Sequence, residues 1–530
     1  MYTHIVVGAG SAGCVVAARI AENSNHHVLL IEAGSDHDSL DDSVSRVRDS
    51  KRVPMQGQSA WYDSNIDWDL QVHMPDALPM RVPQAKLVGG GSSINGGTAL
   101  RSTENDSREW VALGNEAWDF ASCYAIYQSL EDDDVRGTKG PHPIRRAKPS
   151  ELGNIQAAFL AGAAEIGFQQ VLDLNKTGVE GAGPSPVCRA GDQRISAADT
   201  FIYPRKNWKN LTVTTNMIVD RLVFSENRAT GVVLIDGRQI CAAAEVVVCA
   251  GAIISPAILQ RSGIGPGDLL RQHDIVPVVD LPVGQNLSDH PCIPIVAKPR
   301  QGSYVDTDYS LQTQARWSST MRLGAIDHQL VCFSYLFAHA RDPKIAPRTL
   351  SGSATGHVAG VGCNLNKPVV TGTSFITSRD ANVLPRVSMD YLGNASDRSS
   401  AREVVRRGYC LMRTSAMQSV LEGSMSLNDD MVASDEELDR FCKRNVTSTY
   451  HFSSTCRMAS RDKGGVVDQS GRVYGVSGLR VCDASIIPTV PAANNMWTTM
   501  MFAERIGRSV RDGKDVERHH VDGALTKAVL

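Results

Sequence analysis

Residues 4–19, HIVVGAGSAGCVVAAR, contain the stretch that decides the fold. Three β-branched residues lead into the pattern Gly-x-Gly-x-x-Gly at Gly8, Gly10 and Gly13, and an alanine-rich helical pattern follows. The segment VLLIE then reads as a second buried strand that ends in the acid Glu32. Strand, glycine turn, helix and acid-tipped strand together form the βαβ unit that binds dinucleotides. The sequence therefore predicts an α/β fold that begins with a Rossmann-type domain.

Each part of this unit has a physical reason. The glycines let the backbone approach a pyrophosphate, and the helix that starts at Ser11 and Ala12 offers it free N–H groups. Glu32, followed by Ala33, is placed to accept hydrogen bonds from the adenosine ribose, and its charge disfavours a 2′-phosphate. The motif alone leaves FAD and NAD open. Its position at the start of so long a chain favours FAD.

Length and composition narrow the class of protein. The chain has 530 residues, which predicts three or four domains at about 100–200 residues each. Hydrophobic residues make up 42% and charged residues 21%, so the chain has the composition of a globular protein. The net charge of -3 disfavours a nucleic-acid partner or an anionic membrane surface.

Cysteine usage and the N-terminus indicate the compartment. None of the 12 cysteines forms a Cys-x-x-Cys pair, so we expect no metal site. The N-terminus has no basic and apolar leader, and no apolar run is long enough to span a bilayer. These features predict a cytoplasmic enzyme with reduced thiols and no membrane partner.

Two further glycine runs carry more specific information. Residues 84–101 read QAKLVGGGSSINGGTALR, and residues 249–265 read CAGAIISPAILQRSGIG. A run of glycine and serine is often a flexible linker. Here apolar residues flank the first run, which favours an ordered, buried loop.

Both runs resemble signatures of the glucose–methanol–choline (GMC) oxidoreductase family. The segment AKLVGGGSSIN resembles the core of the family's first signature, and GAIISPAILQRSGIG matches its second. Further agreement is found in 106–110 (DSREW), 283–290 (VGQNLSDH), 455–458 (TCRM) and 472–488 (RVYGVSGLRVCDASIIP). The resemblance therefore extends over nearly the whole chain.

The resemblance implies an FAD-binding domain interleaved with a substrate domain that is built on an antiparallel sheet. We assign 1–150, 190–295 and 455–515 to the FAD domain, 151–189 and 296–454 to the substrate domain, and 516–530 to a tail. It also implies further cofactor contacts, at Trp68, Val88, Gly91, Ser92, Asn95, Gly96, Gly97, Thr98, Val219, Asp483, Ala484, Asn495, Met496, Trp497 and Thr498. Many relatives attach FAD covalently through a histidine near the second glycine run. Residues 84–101 contain no histidine, so we expect non-covalent FAD.

The resemblance also identifies a catalytic base. Oxidising an alcohol requires a group that takes the hydroxyl proton, and histidine suits this task near neutral pH. The segment STYHFSSTCRM places His451 where the family has its proton acceptor. Ser454 stands where the family motif has glycine.

A second catalytic position is less regular. The family has a histidine or asparagine at the start of the last helix, and counting back from Thr499 places this position on Met496. A thioether cannot make a strong hydrogen bond to a substrate oxygen. Either Asn495 fills the role through a shifted loop, or the site works with His451 alone. The N-terminus of the same helix is expected to stabilise negative charge on the reduced flavin.

The resemblance implies oxidation of a small-molecule alcohol to an aldehyde or ketone, with electrons passed to oxygen or an organic acceptor. The alternative is an FAD-containing lyase of the same fold that cleaves hydroxynitriles without net redox chemistry. The sequence does not specify the alcohol. It leaves the oligomeric state open, a homo-oligomer included.

Overall fold

The computed structural model describes residues 1–36, 66–75, 77–304, 309–337, 357–422 and 425–517. Of the tail predicted over 516–530, residues 518–530 lie outside the described residues.

The described strands belong to three larger sheets and several small ones. They are β1 Tyr2–Val7, β2 Val28–Ile31, β3 Leu70–His73, β4 Met80–Val82, β5 Glu131–Asp133, β6 Thr138–Lys139, β7 His142–Ile144, β8 Gly181–Pro184, β9 Arg189–Ala190, β10 Gln193–Arg194, β11 Leu211–Thr214, β12 Val219–Ser225, β13 Arg228–Leu234, β14 Gln239–Val248, β15 Ile264–Gly265, β16 Val279–Asp280, β17 Pro291–Pro299, β18 Thr313–Trp317, β19 His328–Phe337, β20 His357–Leu365, β21 Thr373–Phe375, β22 Arg386–Ser388, β23 Leu421–Glu422, β24 Thr447–Ser448 and β25 Leu479–Val481.

The α-helices of the described part follow in chain order. They are α1 Ser11–Ala21, α2 Gly91–Ile94, α3 Glu104–Ala112, α4 Phe120–Leu130, α5 Asn154–Glu165, α6 Ala197–Phe201, α7 Gly251–Arg261, α8 Gly267–Gln272, α9 Ala395–Met412, α10 Ser415–Val420, α11 Asp429–Ala433, α12 Asp435–Asn445 and α13 Asn495–Asp512.

The first large sheet has the order β11-β2-β1-β14-β13-β12, with β25 also paired to β14. Strands β11, β2, β1, β14 and β25 run parallel to their neighbours, while β13 and β12 extend the sheet as an antiparallel edge. The last four residues of β1 are buried because both faces of the strand are covered there, which explains the apolar run over 5–7. This arrangement confirms the predicted α/β class and its Rossmann-type start.

Helix α1 joins β1 to β2 and packs closely against the last helix, α13. A Cβ atom on Gly507 would lie 3.2 Å from the Cα atom of Val16, so glycine permits this close approach. Arg19 on α1 donates from Nε to Glu504 on α13 at 2.8 Å. Because this contact is largely buried, the two helices are joined by a bond as well as by packing.

The second large sheet has the order β23-β17-β20-β19-β18-β8, with β24 paired to β17. Its pairs are antiparallel, and side chains therefore alternate between its two faces. Ile293, Ile295, Leu330, Val361 and Cys363 are fully buried on one face, within the core that includes α5 and α9. Residues of the opposite face, among them Pro294 and Asn364, line the cleft described below.

The predicted domain boundaries stay a prediction. Strand β17 belongs to the second sheet but begins at Pro291, inside the segment 190–295 that the sequence analysis gives to the first domain. A smaller sheet, of order β21-β22-β3-β4, pairs strands from both predicted domains. The sequence could not predict these pairings because they are long-range.

Candidate active site

A cavity of about 500 Å³ lies between the two large sheets. The predicted site residues that line it are Gly8, Gly10, Ser11, Ala12, Glu32, Ala33, Trp68, Gly91, Asn95, Gly96, Thr98, Val219, His451, Asp483, Ala484, Asn495 and Met496. The predicted residues that do not line it are Gly13, Val88, Ser92, Gly97, Trp497 and Thr498. Distant segments of the chain thus meet in one cleft, and its two ends differ in chemistry.

At one end, the first glycine run turns β1 into α1. Gly8 has a φ of +99°, which side-chain-bearing residues rarely adopt. A Cβ atom on Gly13 would lie 1.8 Å from the carbonyl oxygen of Gly8, so the helix can start here only with glycine. Helix α1 has no side-chain cap, and Ser11 and Ala12 of its first turn line the cleft. Free N–H groups and the positive end of the helix dipole make this turn suitable for an anion.

The second glycine run lies directly against the first. A Cβ atom on Gly90 would lie 2.6 Å from the Cα atom of Gly10. Ser92 donates to the carbonyl of Gly89 at 2.5 Å and accepts from the backbone of Ala197 at 2.9 Å, so it holds the loop rather than lining the cleft. Val88 is fully buried in the core beneath the loop.

The end of this run is held by amide contacts. Asn95 accepts from the backbone N–H of Gly97 at 2.9 Å, and the carbonyl of Gly97 accepts from Cys188 at 2.8 Å. Arg194 donates to the backbone carbonyl of Asn95. Gly97 is therefore held by both its N–H and its carbonyl, while Asn95, Gly96 and Thr98 line the cleft.

Glu32 marks the adenosine end of the cleft. Its carboxylate accepts from the backbone N–H of Ala9 at 2.8 Å and from that of Gly34 at 2.9 Å. Burial outweighs these bonds and raises the pKa of Glu32 to about 7. A carboxylate has about four acceptor sites, so Glu32 keeps the capacity to accept a hydrogen bond from a ribose hydroxyl.

Asp483 ties the third glycine run to the segment after β25. Its carboxylate accepts from Gly251 N–H at 2.9 Å, from the Ser255 hydroxyl at 2.5 Å and from Ser485 N–H at 2.7 Å. Asp483 is therefore committed to holding these backbones together. Its neighbour Ala484 lines the cleft beside Gly251.

At the other end of the cleft, the ring of His451 is held by two groups at Nδ1. The Nδ1 atom of His290 lies 2.9 Å away, and the hydroxyl of Thr449 lies 2.8 Å away. The Nε2 atom of His451 lies 3.1 Å from the side-chain nitrogen of Asn494, on the side of the cleft.

The neighbours determine which nitrogen of His451 carries the proton. His290 Nε2 lies 2.9 Å from the carbonyl of Pro491, so this nitrogen donates, and the other nitrogen of a neutral His290 accepts. The hydroxyl of Thr449 donates to the carbonyl of His290 at 3.0 Å, so its oxygen also accepts at His451. Both neighbours of Nδ1 are acceptors. The proton of His451 is therefore on Nδ1, and Nε2 presents a lone pair.

The charge state of both histidines agrees with this assignment. Burial lowers the pKa of His451 to about 4. Burial, together with the nearby His451, holds the pKa of His290 well below its usual value. Both rings are therefore neutral at neutral pH.

Asp289 holds the backbone on which His451 sits. It accepts from the His451 N–H at 2.7 Å, and from Ser448 and Tyr391 hydroxyls at 2.5 Å each. Burial raises the pKa of Asp289 to about 6. Because donors surround its carboxylate and it does not line the cleft, Asp289 positions His451 and does not contact a ligand there.

Ser454 shows why the family motif has glycine at this position. Its φ is +72°, in the left-handed region that favours glycine. Serine therefore occupies a backbone conformation that glycine adopts more readily.

The first turn of α13 separates the candidates for a second polar group. The Asn495 side chain donates to the carbonyl of Phe452 at 3.2 Å, and the Met496 sulfur accepts from Asn95 at 3.0 Å. Asn494, which neither sequence-based alternative names, is the residue whose amide reaches His451. Its position immediately before the helix is the one sequence feature that could have identified it.

Helix α13 starts at the cleft, but its next side chains leave it. Trp497 donates from its ring nitrogen to Glu131 at 3.0 Å, and Thr498 shares a hydrogen bond of 2.9 Å with Tyr127. These two side chains anchor the helix in the core. Because the helix has no side-chain cap, its N–H groups give the cleft a positive dipole end.

A dinucleotide cradle that opens on a buried neutral histidine defines the class of nucleotide-dependent oxidoreductases. Models of the GMC oxidoreductase family match residues 2–292 and 368–503. The chain therefore belongs to the GMC oxidoreductase family.

Curated relatives agree with this assignment. The oxygen-dependent choline dehydrogenase of Vibrio vulnificus is 32% identical over 95% of this chain and 93% of its own length. That of Burkholderia multivorans is 32% identical over 98% of this chain and 95% of its own length.

Solved structures share the fold. The pyridoxine 4-oxidase from Mesorbium loti has a TM-score of 0.85 at 25% identity, with 98% of this chain and 100% of that chain covered. A formate oxidase has a TM-score of 0.83 at 21% identity, with 100% and 99% covered. The family match and the curated relatives together make the chain an FAD-dependent oxidoreductase of the alcohol-oxidising type.

The residues present fit FAD. A Cβ atom at Gly8, Gly13 or Gly90 would collide with neighbouring backbone, so this tight cradle requires glycine at these positions. The first turn of α1 suits a pyrophosphate, and Glu32 suits a ribose. In the described residues, no helix combines the length and apolar character needed to cross a membrane.

Proposed function

We propose that the chain oxidises the carbinol group of a small alcohol to an aldehyde or ketone, with His451 as the acceptor of the hydroxyl proton. FAD, when bound, supplies the hydride acceptor. The observation that carries the proposal is the set of hydrogen bonds that leaves a lone pair on His451 Nε2. The carbonyl of Pro491 accepts the proton of His290, and the carbonyl of His290 accepts the hydroxyl proton of Thr449, so both neighbours of His451 Nδ1 are acceptors.

The chain's own residues divide the work at this end of the cleft. His451 takes the proton at Nε2, and His290 and Thr449 keep its ring in one tautomer. As positive charge forms on His451, these two acceptors stabilise the Nδ1–H group. Asn494, 3.1 Å from Nε2, is placed to donate its amide to the substrate oxygen once the hydroxyl occupies that position.

The first turn of α13 contributes electrostatically. Asn495 and Met496 line the cleft at the positive end of the helix dipole. Negative charge that accumulates beside this helix during reduction is stabilised. Oxygen or an organic electron acceptor would be the second substrate.

Anaerobic flavin reduction tests the proposal. The purified holoenzyme is mixed with neutral primary, aryl and polyhydric alcohols without oxygen. We expect at least one of them to bleach the oxidised flavin band, and readmitted oxygen to restore it if oxygen is the acceptor. A flavin that stays oxidised while substrate is consumed would favour the lyase.

A pair of histidine variants assigns the base. His451→Ala is expected to slow flavin reduction by about 10²–10⁴-fold, because general base catalysis contributes this much. His27→Ala, at an exposed position, is the matched control and keeps the wild-type rate. An unchanged rate in His451→Ala, with full FAD content, would exclude His451 as the base.

We also propose that FAD is held without a covalent bond. Of the described residues that line the cleft, His451 is the one histidine, and both of its nitrogens have neighbours. Acid precipitation is expected to release the yellow flavin into the supernatant. Colour that stays with the pellet would contradict this.

A further inference from the structure

The segment that precedes α13 is held by side chains from distant parts of the chain. Residues 489–492, with the sequence TVPA, contain neither helix nor strand, and we call them the proline segment. Each of the four carbonyls of the proline segment accepts a hydrogen bond from a side chain. The pairs are Thr489 with Trp110 at 3.2 Å, Val490 with Lys367 at 2.9 Å, Pro491 with His290 at 2.9 Å, and Ala492 with Arg316. Since no regular secondary structure fixes this backbone, these side chains determine where its carbonyls lie.

Lys367, two residues after the end of β20, is a buried cation that takes no part in the proposed proton transfer. Its ammonium nitrogen lies 3.0 Å from Asp106 Oδ1, 2.6 Å from Glu109 Oε2 and 2.9 Å from the Val490 carbonyl. These are its three shortest contacts, and an ammonium has three protons, so each proton has an acceptor. Burial opposes the charge, but the two carboxylates outweigh burial and raise the pKa of Lys367. The group is therefore charged and fixed in position.

Asp106 extends this hold along the proline segment. Both of its carboxylate oxygens lie 3.0 Å from the backbone nitrogen of Ala492, and the residue is fully buried. Lys367 supplies the counter-charge that this buried carboxylate needs. Lys367 thus binds the residue before Pro491, and Asp106 binds the residue after it. The proline ring also restricts the backbone, so the carbonyl between these two contacts has little freedom.

The carbonyl of Pro491 determines how His290 carries its proton. It lies 2.9 Å from His290 Nε2 and keeps the proton there, so Nδ1 of His290 accepts from His451. Without this acceptor, the proton of His290 can move to Nδ1 and be donated to His451 Nδ1. His451 would then carry its own proton on Nε2 and present a donor, instead of a lone pair, to an alcohol. The tautomer of the base therefore depends on where the proline segment lies.

Lys367 also acts on His290 through its charge and its neighbours. Burial lowers the pKa of His290 most, and the nearby His451 and the charge of Lys367 lower it further. The backbone groups of Pro491 and Asn366 oppose this change and favour the proton of His290. Asn366 directly precedes Lys367, and Pro491 follows the residue that Lys367 binds. Both backbone groups that hold this proton thus depend on the position of Lys367.

We propose that Lys367 is a positioning residue for the oxidation. It holds the proline segment so that the Pro491 carbonyl keeps His290, and through it His451, in the tautomer that accepts the proton of the alcohol. Lys367 does not line the cleft, so it acts on the reaction through these residues. This inference rests on the proposed oxidation of alcohols at His451.

Anaerobic flavin reduction of Lys367 variants tests the proposal. The purified holoenzyme is mixed with an alcohol that reduces the wild-type flavin, over a range of concentrations, to give a limiting rate and an apparent Kd. Lys367→Met is expected to lower the limiting rate about ten- to hundredfold, which is part of the roughly 10²–10⁴-fold that a general base contributes. The apparent Kd and the FAD content should stay near those of the wild type, because Lys367 lies outside the cleft. Lys367→Arg, which keeps a cation at this place, should retain a higher rate than Lys367→Met.

A second background separates positioning of the base from general damage. In His451→Ala no base is left to position, so adding Lys367→Met should change the limiting rate by less than about twofold. A merely structural role would slow both backgrounds by the same factor. Lys139→Met, at a lysine whose side chain is 82% exposed, is the matched control and keeps the wild-type rate.

Lys367→Met leaves two carboxylates without their counter-charge, so a milder variant accompanies it. Lys367→Met combined with Glu109→Gln removes the charge of the more exposed partner. The same slowing and the same dependence on His451 are expected. Loss of FAD from both variants would show that Lys367 serves the fold and would overturn the proposal.

The outcomes distinguish the two proposals. If no alcohol reduces the wild-type flavin, or if His451→Ala keeps the wild-type rate, the proposed function fails and this inference fails with it. If Lys367→Met keeps the wild-type rate with full FAD content, or slows both backgrounds equally, only the positioning role is overturned.

Discussion

The glycine cradle and the opposite wall of the cleft are built by contrasting means. At the cradle, function depends on side chains that are absent, because a Cβ atom on Gly13 or Gly90 would lie within 3 Å of backbone atoms. At the opposite wall, which β18, β19 and β20 form, strand pairing brings the amides of Gln329 and Asn364 together, and they share a hydrogen bond. The cradle is thus defined by steric exclusion among residues close in sequence, while the wall is defined by pairing between strands that are far apart in sequence.

The largest expected effect is at the cradle. Gly13→Val places side-chain carbons on the carbonyl oxygen of Gly8, so the turn cannot form and FAD binding is lost. The measurement is the ratio of flavin to protein absorbance, together with the unfolding temperature. Gly137→Asn is the control, because Gly137 has a φ of +71° in open space and asparagine tolerates that region. Full FAD content in Gly13→Val would show that the cradle does not require glycine at this position.

At the catalytic end, the two asparagines are expected to differ. Asn494→Ala removes the amide beside His451 Nε2 and should slow flavin reduction about a hundredfold, as loss of one well-placed donor does elsewhere. Asn495→Ala removes a bond to the Phe452 carbonyl and should lower stability more than rate. The reverse order in single-turnover rates would return the role to Asn495.

The pH dependence follows from burial. A histidine base works only when it is unprotonated, and the pKa of His451 is lowered to about 4. We expect kcat/KM to be level from neutral pH down to about pH 5 and to fall as pH drops through about 4. A histidine with its ordinary pKa of about 6.5 would lose activity much earlier. Flavin content must be checked at each pH, and an acid limb near 6.5 would contradict the assignment.

The smallest expected effect is at the turn after His451. Ser454→Gly relieves a left-handed backbone conformation and should stabilise the fold by about 0.5–1 kcal/mol. Thermal unfolding of the holoenzyme measures this. Ser453→Gly, at a position without positive φ, is expected to destabilise by a similar amount. Equal behaviour of the two variants would show that the strain at Ser454 is relieved elsewhere.

Much of the cradle could be predicted from the sequence. Glu32 follows a buried strand, and Gly8, Gly10 and Gly13 have a spacing that steric exclusion dictates. Trp497 and Thr498, by contrast, were predicted at the cofactor and have side chains that point into the core. Which side chains of a helix face a cleft depends on the elements that the helix packs against, and a sequence motif does not specify those elements.

The catalytic end was predictable only in part. The sequence motif predicted His451 but not its partners. His290 is far from His451 in the sequence, and Asn494 lies outside the position at which the family has its second polar group. The proton on Nδ1 depends on two carbonyls that approach through tertiary packing. No local pattern encodes such a chain of donors and acceptors.

By itself, the sequence determined the Rossmann-type start, the FAD cradle and the family, because these depend on local sterics and on contiguous motifs. Only the tertiary structure decided which amide faces His451, which of its nitrogens accepts, and which polar side chains line the cleft. Those properties arise when β18, β19, β20 and the start of α13 are brought to one cleft. Hydrogen bonds are directional and short-ranged, so their pattern exists only once distant segments meet.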